Sequence, residues 1–168
     1  MIACAAAAGP ALEGANIRFG IGAQTGAIDH VWLEKGAVKC SVIGGGEAKG
    51  ICGSGLVDAI AVGLQTGLLN KRGRIQREDR IFPLTESVYL TQEDIRHVQL
   101  AKGAIATGIQ LMASHMGVAL SEIQKVYLAG AFGTIVAAFL FVLLVTVGGT
   151  ALMGPLGGLT GFTISGIS

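Results

Sequence analysis

The residues of this chain best placed to do chemistry are glycines at element ends. Gly50-Ile-Cys-Gly-Ser-Gly55 runs straight into apolar positions Leu56, Val57, Ile60, Ala61 and Leu64, which share one face of a helix, and Gly67 is placed to end that helix. Unpaired backbone N–H groups at a helix start form the positive end of its dipole, and glycines let an anion or phosphate reach them. Gly53, Ser54 and Gly55 are therefore candidate phosphate-side residues, with Ser54 as the expected helix cap. A tight turn that merely packs a helix against a sheet is the equally open alternative. The stretch has neither the lysine of a phosphate loop nor the spacing of a dinucleotide fingerprint.

A second candidate is Val126-Tyr-Leu-Ala-Gly-Ala-Phe-Gly133, an apolar strand expected over Lys125 to Ala129 and delivered into a glycine turn. Carboxyl ends of strands in α/β sheets open into crevices where ligands bind. Gly130, Ala131, Phe132 and Gly133 are candidates on that ground, again with a plain strand-to-helix turn as the alternative. Glu13 in Ala5-Ala-Ala-Ala-Gly-Pro-Ala-Leu-Glu-Gly14 reads as a surface or capping carboxylate before a ligand contact. His30, His97 and His115 are isolated in sequence, and no Ser/His/Asp or Cys/His set can be assembled. Cys4, Cys40 and Cys52 are scattered, with no Cys-x-x-Cys and no histidine at ligand spacing, so no metal site is expected and buried free thiols are.

The elements that must position these residues follow from punctuation and period. Ile17 and Phe19, then Ile28, Val31 and Leu33, suggest short strands broken by glycine turns, and Val38 to Ile43 another that ends in three consecutive glycines free to adopt positive φ. Asn70 to Glu86 is the most charged part of the chain and reads as a wet surface connection with a short strand near Ile81. Thr91 with Asp94 three residues on forms a capping box for a helix over about Gln92 to Met116. Ile95, Val98, Ile105, Ile109, Met112 and Met116 form its apolar stripe, with the two methionines as core, and Gly117 follows it as a C′ residue. Strands and helices mixed in this order predict an α/β domain.

Length and composition bound the rest. The chain of 168 residues suits one domain plus an appendage, and a formal net charge of +1 argues against a nucleic-acid footprint or a polybasic membrane patch. The start, Met1-Ile-Ala-Cys-Ala-Ala, lacks the basic and apolar regions of a secretory signal. Every charged residue lies at or before Lys125, so Val126 to Ser168 is a separate regime. Thr134 to Val147 is uninterruptedly apolar, and a transmembrane helix over about 134–151 or a buried core helix would both account for it.

Taken in order, residues 5–28, Gly50-Ile-Cys-Gly-Ser-Gly-Leu-Val-Asp-Ala-Ile60, residues 90–109 and Val126 to Gly133 together resemble the C-terminal ATPase domain of the ATP-dependent reductive activators of corrinoid proteins. The likeness covers residues 3 to 133. It implies a ribonuclease H-like α/β fold of the acetate and sugar kinase, heat-shock chaperone and actin superfamily (ASKHA). It also implies ATP with Mg²⁺ as cofactor, a corrinoid protein as partner and a cytoplasmic setting, with membrane association through residues 134–151 if the apolar tail spans. Such activators use ATP hydrolysis to drive an uphill electron transfer from an N-terminal iron-sulfur domain, restoring low-valent cobalt.

By the same resemblance Gly130 to Gly133 pass beside the nucleotide, and Gly53, Ser54 and Gly55 form a second motif. The family's phosphate loop lies just upstream of the Ala-Ala-Gly-Pro segment and its cluster domain further upstream. A chain numbered from Met1 is therefore expected to hold a partial domain, residues 1–133, incomplete for catalysis, before the apolar tail, residues 134–168. The tail departs from the family's polar continuation, as a fusion or a frameshift would. Two other readings stand beside this one: a non-catalytic membrane-tethered interaction module, and a related ATPase activating a radical dehydratase or reductase.

Overall fold

A computed structural model of the chain describes residues 8–123. Within them a β-hairpin, β1 (Ala27–Glu34) and β2 (Ala37–Val42), forms around Lys35 and Gly36, whose φ of 50° and 82° suit the two-residue turn that the right-handed strand twist favours. The pairing is antiparallel, and its register shifts between Ile28 and His30, leaving Asp29 as an extra residue whose Oδ1 accepts a 2.6 Å hydrogen bond from Ser41 Oγ. The shift lets Ile28 and Val31 both face the core.

A two-residue strand, β3 (Gly50–Ile51), pairs parallel with Ala27 and Ile28 of β1, giving the order β2-β1-β3. The connection into it contains Gly44, Gly45 and Gly46, all at positive φ as expected from the glycine triplet. Helix α1 (Gly53–Thr66) follows at once, and Gly67 in the left-handed region closes it. Of the expected face, Leu56 and Val57 are buried and Ile60 and Leu64 pack half-buried against the core, while Ala59, Val62 and Gly63 extend the buried face beyond it. Gly63 lets Leu69 and Phe82 approach the helix where a side chain would exclude them.

The charged connection carries the expected short strand, β4 (Ile81–Pro83), which pairs antiparallel with β5 (Tyr89–Thr91). Helix α2 (Gln92–Met116) then starts on the expected capping box, with both the Thr91 side chain and the Asp94 carboxylate engaged, and ends on left-handed Gly117. Its first half docks through Ile95, Val98 and Ala101 into the same apolar cluster that holds Ile28, Ile51, Leu56, Phe82 and Leu90. The second half does not follow the predicted stripe. Met112 is half-buried and Met116 is 51% exposed, so the methionine pair is not core, and Leu111 is 66% exposed.

The strand expected through Ile17 and Phe19 is also corrected. A 3-10 turn, Pro10–Glu13, and a bend with Asn16 at φ 63° occupy this region, and only Gly20 bridges in parallel to Ile51. The backbones of Gly14 and Gly20 touch so closely that a Cβ on Gly20 would strike the Gly14 carbonyl, a fold-back incompatible with an extended ladder. The strand expected over Lys125 to Ala129 and the apolar segment 134–151 lie outside the described residues. Among the described residues no helix is long and apolar enough to cross a membrane.

Candidate functional site

The first turn of α1 is positioned by backbone hydrogen bonds on both sides of β3. Ile51 N–H donates to Phe19 O at 2.8 Å, Ile21 N–H donates to Ile51 O at 3.0 Å, and Cys52 N–H donates to Ile28 O at 3.0 Å. The helix thus leaves the carboxyl end of β3, which β1 flanks on one side and the Phe19–Ile21 backbone on the other. Its N-cap is Cys52, in extended conformation (φ −93°, ψ 175°), and no side chain caps the turn. This corrects the expectation for Ser54, which lies one position inside the helix with its Oγ 3.2 Å from Cys52 Sγ.

The two flanking glycines have structural work. A Cβ on Gly50 would clash with the Phe19 carbonyl, and one on Gly55 with the Ile28 carbonyl. For Gly55 the packing reading therefore holds: α1 approaches β1 more closely than any side chain permits. Gly53 is buried and Ser54 half-buried. The turn has no acidic residue. An uncapped, carboxylate-free first turn suits an anion, since the helix dipole and its leading N–H groups both favour negative charge there. Gly130, Ala131, Phe132 and Gly133 lie outside the described residues. Among those residues no group of three or more His, Cys, Asp or Glu is placed to hold a metal ion.

Three arrangements were not legible in the sequence. His30 is not isolated: its Nδ1 contacts Asp58 Oδ2, its ring stacks on Trp32 (centroids 5.2 Å, planes 20° apart), and Asp58 Oδ2 also accepts from Val31 N–H at 3.3 Å. Asp58 thereby ties α1 to the edge of β1 beyond the end of short β3. Asp94 is 2% exposed, and besides its cap its Oδ1 accepts from Arg18 N–H at 2.8 Å. The Arg18 guanidinium lies 5.4 Å from the Tyr89 ring centre, and Tyr89 meets Phe19 edge-on at 4.8 Å. Beside this cluster opens a concavity of about 850 Å³ between Arg18, Arg80, Glu93 and His97. No local spacing announces contacts between residues 28 and 76 positions apart.

Glu13 is exposed and His115 is exposed near the end of α2, where its charge when protonated suits the dipole. Among the cysteines described, Cys52 is buried and Cys40 half-buried, both as free thiols. Burial pushes the Cys40 thiol above its ordinary range, against the pull of neighbouring Lys39.

The fold and the site thus define a mixed α/β unit in which short β3 feeds a glycine turn and an uncapped helix start. Comparison with known proteins makes this specific. The family described as the C-terminal domain of RACo, the ASKHA domain, matches residues 1–140, and the chain belongs to that family. It is similar to the corrinoid activation enzyme RamQ of Eubacterium limosum, 39% identical over 76% of this chain and 26% of that protein. It is also similar to the [Co(II) methylated amine-specific corrinoid protein] reductase of Methanosarcina barkeri, 30% identical over 82% of this chain and 29% of that one. A solved reductive activator for corrinoid, iron-sulfur protein superposes with a TM-score of 0.65 at 34% identity, over 77% of this chain and 24% of that structure. The chain thus spans between about a quarter and a third of the length of these relatives.

Proposed function

We propose that this chain serves in the ATP-dependent reductive activation of a corrinoid protein, contributing part of the nucleotide site. The observation that carries the reading is the first turn of α1: glycine-built, uncapped, free of carboxylates and set at the carboxyl end of short β3. The relatives' activities support the corrinoid side of the proposal. In this reading the N–H groups of Gly53, Ser54 and Gly55 face phosphate oxygens, and the Ser54 hydroxyl offers one further donor. Gly130, Ala131, Phe132 and Gly133 form the adenosine side.

ATP, carried with its Mg²⁺, supplies the free energy that drives an electron uphill to cobalt. The chain's own residues bind and orient the nucleotide. In this reading an iron-sulfur cluster of a further domain would supply the electron, in a cytoplasmic setting.

Calorimetric titration of the 168-residue chain with MgATP tests the nucleotide half. Saturable binding is expected, with loss of at least about tenfold in affinity in Gly130→Val and in Gly53→Val, because a side chain at either position displaces the ligand. Thermal melts of both variants separate lost binding from lost fold. Heats of dilution alone from a folded parent chain would sink the nucleotide reading.

A further inference from the structure

Asn70-Lys-Arg-Gly-Arg-Ile-Gln-Arg-Glu-Asp-Arg80 holds five cations against two carboxylates, in a chain whose net charge is only +1. A run of charge that serves only solubility needs no fixed shape. This one is held at almost every turn. Asn70 Oδ1 accepts from both Arg72 and Arg74 N–H at 2.9 Å. Two glutamines of α2 grip it from the other side: Gln92 accepts from Ile75 N–H at 2.9 Å and donates to Gly73 O at 2.8 Å, while Gln99 donates to Arg72 O at 2.9 Å. Ile75 beneath is 1% exposed and anchors the loop in the core.

Arg80 stands out within it. Its φ of 54° is a conformation that glycine adopts freely and an arginine does not. The turn that fixes it is closed by its own N–H to Arg77 O at 3.2 Å and by Ile81 N–H to Asp79 Oδ1 at 3.1 Å. Arg80 lines two open concavities at once: one of about 600 Å³ with Arg74, Arg77 and Glu78, and the cleft of about 850 Å³ beside Arg18 and His97. Arg77 is neutralised by a two-pronged pair with Asp79, at 3.1 and 2.8 Å. Arg72, Arg74 and Arg80 make no ion pair among the described residues.

We propose that Asn70–Arg80 is a docking surface for the acidic face of a protein partner, centred on Arg80. Exposed arginines carried on a backbone held in one shape, with no ion pair among the described residues, match carboxylates spaced along another protein. Two observations favour a protein over nucleic acid: no aromatic residue is interleaved in the segment to stack a base, and the whole chain carries little net charge. The interspersed Glu78 and Asp79 oppose a concentrated phosphate site. The proposal goes beyond the nucleotide reading and does not depend on it.

Fluorescence anisotropy of labelled poly-L-glutamate with the 168-residue chain tests it at low salt, with an oligothymidylate of equal charge and inorganic phosphate as rival probes. Poly-L-glutamate is expected to bind, and Arg74→Glu with Arg80→Glu to weaken it about tenfold, while Lys35→Glu with Lys39→Glu, which removes the same charge from the exposed β1–β2 hairpin, changes it less than about threefold. Arg80→Gly is expected to melt no lower than the parent and still bind more weakly, and Arg80→Lys to bind like the parent. Four results would overturn the proposal: equal losses from both charge-reversal pairs, unchanged binding by Arg80→Gly, tighter binding of the oligothymidylate, or displacement of the polypeptide by millimolar phosphate. Unchanged MgATP binding in these variants would keep the result separate from the nucleotide site.

Discussion

Gly55 shows how a single residue decides between two readings of one motif. As a phosphate-loop glycine it would tolerate alanine structurally, and alanine would even favour the helix by up to about 1 kcal/mol. Here the added Cβ meets the Ile28 carbonyl, which is backbone and cannot rotate away. Steric cost wins, and Gly55→Ala is expected to destabilise the fold by about 1–3 kcal/mol, read as a lower urea midpoint. An unchanged or raised midpoint would mean that α1 sits further from β1 than described. The neighbouring Ser54 carries no such constraint, since its hydroxyl meets only the Cys52 thiol. The two residues, adjacent in one motif, thus serve different ends: one sets the helix-to-sheet distance, the other remains available to a ligand.

At the level of elements, α2 is held to the rest of the fold by its first turn. Thr91 and Asp94 form the cap, worth about 1 kcal/mol in a typical helix. Asp94 does more: it also receives Arg18 N–H, so one buried carboxylate joins the start of α2 to the bend after the 3-10 turn. Removing the carboxylate takes the partner from the N–H groups of both Arg18 and Thr91, in part-buried hydrogen bonds each worth about 1 kcal/mol or more because the acceptor is charged. Asp94→Ala is therefore expected to destabilise clearly more than Thr91→Ala in the same denaturant titration. Equal effects would reduce Asp94 to a local cap. Asp58 plays a parallel part for α1, covering the edge N–H of Val31 that β3 is too short to reach.

Across the described residues, one apolar cluster unites the hairpin, α1, β4, β5 and the first half of α2. Its reach along α2 fades after Ala101 and partly buried Ile105, and Leu111 and Met116 stand exposed. Local opening should follow that gradient: amides near Val98 and Ala101 are expected to exchange with deuterium far more slowly than those near Leu111. Uniform protection along the helix would show that the distal half is packed as well as the first. What the sequence by itself determined were features written within a few residues of each other: the α2 capping box, the glycines that end both helices, the positive-φ glycine triplet, and the ordered motifs that resemble the corrinoid-activator ATPase family. Caps and turns are closed by neighbours along the chain, so residue types announce them. The tertiary structure alone decided that Ala59, Val62 and Gly63 extend the buried face of α1, that Cys52 rather than Ser54 occupies the N-cap, that the chain folds back at Gly14 and Gly20 where a strand was expected, and that His30 meets Asp58. Each of these depends on a backbone or carboxylate brought in from elsewhere in the chain, and no local period or spacing encodes that approach.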